Sequence, residues 1–103
     1  MKRIKRRYLK LQLDTNVAVS ERQLMEGIWG ALSKLYGEFG ASLASLALIS
    51  FDEANKKAIL RTNLVAADNV RVAIASITSI SGNVAAVHVS AISGTIKALR
   101  EKS

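Results

Sequence analysis

The sequence predicts an α+β domain with the order strand, helix, strand, strand, helix, strand and a short terminal helix, and three observations carry that prediction. Tyr8 to Asp14 alternates strictly, with Leu9, Leu11 and Leu13 on one side and Tyr8, Lys10 and Gln12 on the other, the pattern of a half-buried strand. Ser20 and Gln23 then form a capping box ahead of apolar residues at helical spacing, Leu24, Ile28, Ala31, Leu32 and Leu35. Beyond residue 45, two apolar runs flank a turn-rich stretch at Asp52 to Lys56, as in a hairpin.

Taken in order, the first helix is expected over Glu21 to Tyr36 and is ended by Gly37-Glu38-Phe39-Gly40, with Gly37 as the C′ residue. Gly27 and Gly30 weaken that helix and invite close approach of another backbone. The second strand fits Ser45 to Phe51 and the third Lys57 to Leu64. Asp68 is the expected cap of a second helix whose Val70, Ala73, Ile74 and Ile77 face one way. Ser81-Gly82-Asn83 breaks the chain, and Val84 to Ile92 forms the fourth strand. Val87, Val89 and Ala91 are expected on one face, with His88, Ser90 and Ile92 on the other. Two split strand-helix-strand units with right-handed crossovers give a four-stranded antiparallel sheet with both helices on one face, the ferredoxin-like or RRM-like arrangement.

Length and composition set the limits on function. At 103 residues, half of them hydrophobic, the chain is expected to form one domain over residues 1–103. It has no cysteine, so thiol catalysis, disulfides and thiolate metal sites are excluded. His88 is the single histidine and reads as a sheet residue, since no partners of a catalytic triad accompany it. Asp52 and Glu53 read as turn residues and not as an acid–base pair. No apolar signal segment follows the basic start, and Ala41 to Ile49 is far too short to span a membrane. A cytoplasmic protein is expected.

Charge is the most informative property. Fifteen Lys and Arg against eight Asp and Glu leave +7, and the surplus sits at the two ends. Residues 1–10 hold six basic side chains and no acid, residues 97–103 hold Lys97, Arg100 and Lys102 against Glu101, and the stretch between is nearly neutral. The topology sets the first and fourth strands side by side and antiparallel, so the basic arm at residues 1–7 and the terminal helix at about 94–102 converge. Lys2, Arg3, Lys5, Arg6, Arg7, Tyr8 and Lys10 with Ser93, Gly94, Thr95, Lys97 and Arg100 are therefore the candidate nucleic-acid-binding residues. Ser93 can cap the terminal helix and leave its first amides turned to a phosphate, or act as an ordinary cap with a solvated basic tail behind it. Aromatic base stacking of the RRM kind is not expected, because the third strand, Ala58-Ile59-Leu60-Arg61-Thr62-Asn63, has no aromatic residue. Recognition of backbone and shape is favoured.

Residues 72 to 96 contain no Lys, Arg, Asp or Glu, and a domain this small would ordinarily carry charge on each outer face. Met25, Trp29 and Tyr36 on one flank of the first helix, with Val72, Ser76 and Ser79 around the second, make the candidate protein interface; large side chains that merely cover the core rim are the other reading of that flank. A small-molecule-sensing or oligomerisation module of ferredoxin-like fold would account for the uncharged segment, but not for charge gathered at both ends.

Four motifs in order and spacing extend this reading: Arg6-Arg7-Tyr8-Leu9, Gly37-Glu38-Phe39-Gly40-Ala41, Ile59-Leu60-Arg61, and His88-Val89 through Ser93-Gly94-Thr95-Ile96. Together they resemble the ribonuclease P protein component 2 family, the archaeal counterpart of the eukaryotic Pop-five subunit. The resemblance covers nearly the whole chain; the long acidic C-terminal extension and the cysteines of the eukaryotic members are missing. It implies an RRM-like, non-catalytic subunit that binds ribonuclease P RNA and supports removal of 5′ leaders from precursor tRNA. It also implies pairing with a TIM-barrel-like protein subunit, two copies of each, and no cofactor on the protein, with Mg²⁺ acting through the RNA.

Overall fold

The computed structural model describes residues 5–101. In chain order the elements are β1 (Arg6–Asp14), α1 (Glu21–Leu43), β2 (Ala47–Asp52), β3 (Lys57–Asn63), α2 (Ala67–Ala75), β4 (Ser79–Ile80), β5 (Asn83–Val84), β6 (Ala86–Ser93) and α3 (Ile96–Glu101). The main sheet is antiparallel with strand order β2-β3-β1-β6, and β4 and β5 form a separate small hairpin. This is the predicted ferredoxin-like arrangement, with β6 as its fourth strand and the hairpin as an addition the sequence did not announce. No helix among the described residues is long and apolar enough to cross a membrane.

Alternation in β1 does what the pattern requires. Leu9, Leu11 and Leu13 are buried, and they join Ala58 and Leu60 of β3, Leu24, Ile28 and Leu32 of α1, and Val70, Ala73 and Ile74 of α2 in one cluster. Both long helices therefore cover the same face of the sheet. Each fully buried leucine contributes about 1.5–3 kcal/mol relative to exposure. Leu35, expected in the stripe of α1, is nearly half exposed.

Local chemistry explains most of the boundaries. At the start of α1 both capping-box bonds form: the Gln23 amide donates to Ser20 Oγ at 3.2 Å and the Ser20 amide to Gln23 Oε1 at 2.9 Å. At the far end Gly37 takes φ 76°, ψ 167°, a region essentially reserved for glycine. It breaks the helix where expected, but helical structure resumes and runs to Leu43, so β2 begins at Ala47, two residues later than predicted. One glycine interrupts only its own turn, and the Ala41 and Leu43 that follow are good helix formers. Gly27 accommodates a neighbour: a Cβ there would stand 3.4 Å from Ile80, whose side chain, and not a backbone, approaches from the β4–β5 hairpin. Gly30 faces open space.

Asp52 is a turn residue, as read. Its carboxylate accepts from the Asn55 amide at 3.1 Å and from Asn55 Nδ2 at 2.7 Å, and the side-chain bond, followed by the backbone one, holds its pKa below the usual aspartate value. Asp68, by contrast, does not cap α2. Helix α2 begins at Ala67 with Ala66 at the cap position, and the Ala66 amide donates to Asn63 Oδ1 at 2.8 Å. Asp68 lies inside the first turn, 3.6 Å from Arg71 on the exposed surface, where its charge suits the helix N-terminus. Asn63, one turn earlier, had already supplied an acceptor.

The faces of the fourth strand also differ from expectation. Val87 and Val89 lie opposite Leu13 and Leu11, but a register shift between Lys10 and Leu11 pairs Lys10 with Ala91, Leu9 with Ile92 and Tyr8 with Ser93. Ser90 is the extra residue, and its hydroxyl donates to the Lys10 carbonyl at 3.1 Å. Ile92 consequently packs with Val89 against the core, and Ala91 moves to the other side. Strict alternation cannot reveal a bulge, since it changes phase within one strand.

Gly30→Ala is expected to raise unfolding free energy by about 0.5–1 kcal/mol, since the helix gains and nothing obstructs the methyl. Gly37→Ala is expected to lower it by about 1–3 kcal/mol through backbone strain. Urea denaturation of the two variants against the unaltered chain reads both, and a loss at Gly30 or a gain at Gly37 contradicts the assignment.

Candidate nucleic-acid interface

The start of β1 and the end of β6 meet. Tyr8 pairs with Ser93 and Lys10 with Ala91, so residues more than eighty positions apart in sequence stand on adjacent strands. Arg7 closes the junction: a Cβ on Gly94 would lie 3.1 Å from Arg7 Nη1, which means that the guanidinium rests against the Gly94 backbone. The same Nη1 donates to the Arg6 carbonyl at 3.1 Å. Glycine at this position is what lets the arginine lie so close.

Helix α3 follows directly, with Thr95 as its cap. Thr95 Oγ1 accepts from the Ala98 amide at 3.1 Å, and the Thr95 carbonyl accepts from the Leu99 amide at 3.1 Å. Ser93, the expected cap, is instead the last residue of β6, held there by its pairing with Tyr8, and its Oγ accepts from the Thr95 amide at 3.4 Å. The shift moves the helix start to Ile96. Six residues give α3 little field of its own, so attraction for an anion here rests on side chains such as Lys97, which is exposed. Leu99 anchors the helix: it is fully buried, apart from the main cluster, where α3 packs on β6 and β1.

The remaining basic residues divide by position. Lys5 and Arg6 are exposed, Arg7, Tyr8 and Lys10 half-buried. Arg6, Tyr8 and Lys10 share the sheet face opposite Leu9 and Leu11, the one α1 and α2 leave uncovered, because successive side chains of a strand alternate. Lys2 and Arg3 lie outside the described residues, as does the side chain of Arg100.

Two residues that the sequence reading left out of the site belong to this surface. Arg61 lies across from Tyr8 and Lys57 across from Gln12 in the β1–β3 ladder, on the same face as Lys10. Register was the missing signal. Arg61 alternates with the buried Leu60 and Thr62, so once β3 is placed beside β1 its side chain must emerge next to Tyr8. His88, opposite Gln12, is solvent-exposed on β6. Among the described residues no three His, Asp or Glu side chains are grouped so as to hold a metal ion.

The uncharged candidates occupy different elements. Met25 is packed against the core, while Trp29 and Tyr36 are each 37% exposed on α1. On α2, Val72 is half exposed, and the exposed Ser76 turns its hydroxyl to the Ala73 carbonyl at 2.6 Å. Ser79 is exposed in β4 opposite Val84, itself 87% exposed.

The chain is similar to known proteins in both sequence and fold. "Ribonuclease P protein component 2" of Pyrococcus furiosus is 32% identical over 97% of this chain and 83% of its own length. The protein of the same name from Methanosarcina barkeri is 34% identical over 97% of this chain and 73% of its own length. In fold, the structure matches a chain of yeast ribonuclease MRP solved by cryo-electron microscopy, with a TM-score of 0.76 at 19% identity over 92% of this chain and 78% of that one. Residues 7–103 match the model of the Rpp14/Pop5 family, and the chain belongs to that family.

Proposed function

We propose that this chain is a protein subunit of ribonuclease P that binds the catalytic RNA and supports cleavage of 5′ leaders from precursor tRNA in the cytoplasm. The observation that carries the proposal is the junction of the two chain ends, where Arg7 lies on Gly94 and Tyr8 pairs with Ser93, in a member of the Rpp14/Pop5 family. The role is non-catalytic: the RNA and its Mg²⁺ ions carry the chemistry, while Lys5, Arg6, Arg7, Lys97 and Arg100 neutralise phosphates. Charge at this junction favours RNA over the small-molecule-sensing module. Trp29 and Tyr36 on α1, rimmed by Met25, or Val72, Ser76 and Ser79 form the side turned to protein, a TIM-barrel-like subunit in a particle holding two copies of each.

Incubation of precursor tRNA with the purified chain alone is expected to give no cleavage, whereas adding the chain to the ribonuclease P RNA at limiting Mg²⁺ raises the rate. Cleavage by the chain alone contradicts the assignment. For about five neutralised phosphates, log affinity falls against log salt with a slope of about −3.5 to −4.5. Combined replacement of Lys5, Arg7 and Lys97 by Ala flattens that slope by about 2 to 3; an unchanged slope removes them from the interface.

Gly94→Ala is a milder probe. Its methyl displaces only the tip of a flexible arginine, so thermal stability stays the same while RNA affinity drops about threefold, equivalent to about 0.6 kcal/mol. Equal affinity with unchanged stability shows Arg7 idle in binding. On the protein side, hydrogen exchange in the presence of the TIM-barrel-like subunit is expected to slow in α1 around Trp29 or in α2 around Val72. Identical exchange with and without that subunit rules out both faces.

A further inference from the structure

Where the two central strands end, the sheet forms a small cleft of about 60 Å³ lined by Arg6, Ser45, Arg61, Thr62 and Asn63. Arg6 lies opposite Asn63 and Tyr8 opposite Arg61, so the two arginines are diagonal neighbours on one face, within reach of each other's side chains. No carboxylate lines the cleft, and neither guanidinium has an ion pair among the described residues. Two like charges on neighbouring side chains repel unless something negative comes between them. The walls are fixed. Thr62 Oγ1 donates to the Ala44 carbonyl at 2.6 Å, the Asn63 amide donates to the same carbonyl at 3.2 Å, and the Leu64 amide donates to the Lys5 carbonyl at 2.8 Å. These bonds tie the end of β3 both to the turn that presents Ser45 and to the start of β1.

We infer that Arg6 and Arg61 act together as a clamp for a single phosphate group. The inference rests on the RNA-binding reading above for its source, a phosphodiester of the RNA strand, and adds a residue, Arg61, and a shared occupancy that the reading does not contain. Guanidinium groups suit the task because each presents parallel N–H donors to a pair of phosphate oxygens. A cleft of this size admits a group of a few non-hydrogen atoms, such as a phosphate. Ser45, with φ 51°, also lines the cleft and carries a hydroxyl able to donate.

The test uses the intact chain in two arms. In the first, inorganic phosphate is titrated while NMR follows the Arg6 and Arg61 Nε–H signals and the Ser45 and Asn63 amides. The clamp predicts that all four respond with one dissociation constant, that Arg61→Ala abolishes the Arg6 response, and that Arg61→Lys, which keeps the charge but not the fork, restores only part of it. Independent responses, or none, overturn it. In the second arm, affinity for the ribonuclease P RNA is measured against salt. Arg6→Ala and Arg61→Ala each weaken binding about fivefold, and the double variant is no worse than about tenfold, because the two share one partner. The double variant's slope flattens by about 0.7 to 0.9, the share of one phosphate. Additive losses with twice that change in slope mean two separate phosphates and overturn the clamp. A phosphate response with RNA binding untouched by either variant overturns the strand as source. If the unaltered chain binds no RNA while the phosphate response persists, the RNA reading falls and the two-arginine site stands.

Discussion

Everything in this fold depends on β1 being paired on both sides. It lies between β3 and β6, so its backbone groups are satisfied by two ladders while Leu9, Leu11 and Leu13 are pressed into the core by both helices. Buried backbone groups without partners are costly, and a slip of one residue would turn the three leucines to the open face. The register is fixed for these reasons. With it fixed, every residue on the opposite face of β1 has an assigned neighbour: Arg6 has Asn63, Tyr8 has Arg61 and Ser93, Lys10 has Ile59 and Ala91. The basic surface follows from the packing of the leucines.

This coupling explains how a protein with only local charge runs builds an extended interface. The central part of the chain is close to neutral, and the surplus charge is carried by residues at its two ends. Antiparallel pairing of β1 with β6 places those ends together, and α3, pinned by the buried Leu99, holds Lys97 beside them. Arg61 and Lys57 join from a strand in mid-sequence. Clustered cations of this kind raise the local potential more than the same charges dispersed over the molecule. Exposure of most of them to solvent makes the attraction sensitive to salt.

Much of the architecture was legible because it rests on periodicity and composition. The alternation of Leu9 to Leu13, the capping box at Ser20 and the turn at Asp52 each determine structure through contacts within a few residues. What escaped the reading depends on partners distant in sequence. Asn63 accepts from the Ala66 amide at the start of α2, where Asp68 was expected to cap, Thr95 rather than Ser93 starts α3, and Ser90 shifts the phase of β6 so that Ile92 turns inward. The hairpin β4–β5 was unreadable for the same reason: its two-residue strands are stabilised by Ile80 packing on Gly27 and by Thr15 Oγ1 donating to the Val84 carbonyl at 3.1 Å. In the candidate site, the convergence of the two ends was foreseeable from strand order, whereas Arg61 required the register.

The irregularities in the two outer strands have a further consequence. β2 and β6 form the margins of the sheet, and each carries a register shift, between Leu48 and Ser50 in one and at Ser90 in the other. Margins of a sheet are templates for unwanted pairing with other chains, and proteins commonly guard them with lysine or proline. There is no proline in this chain, and β6 lies within a segment that contains no charged side chain. A bulge increases local twist and interrupts the row of available backbone groups. An irregularity on each outer strand is thus one of the devices by which an open sheet margin discourages such pairing.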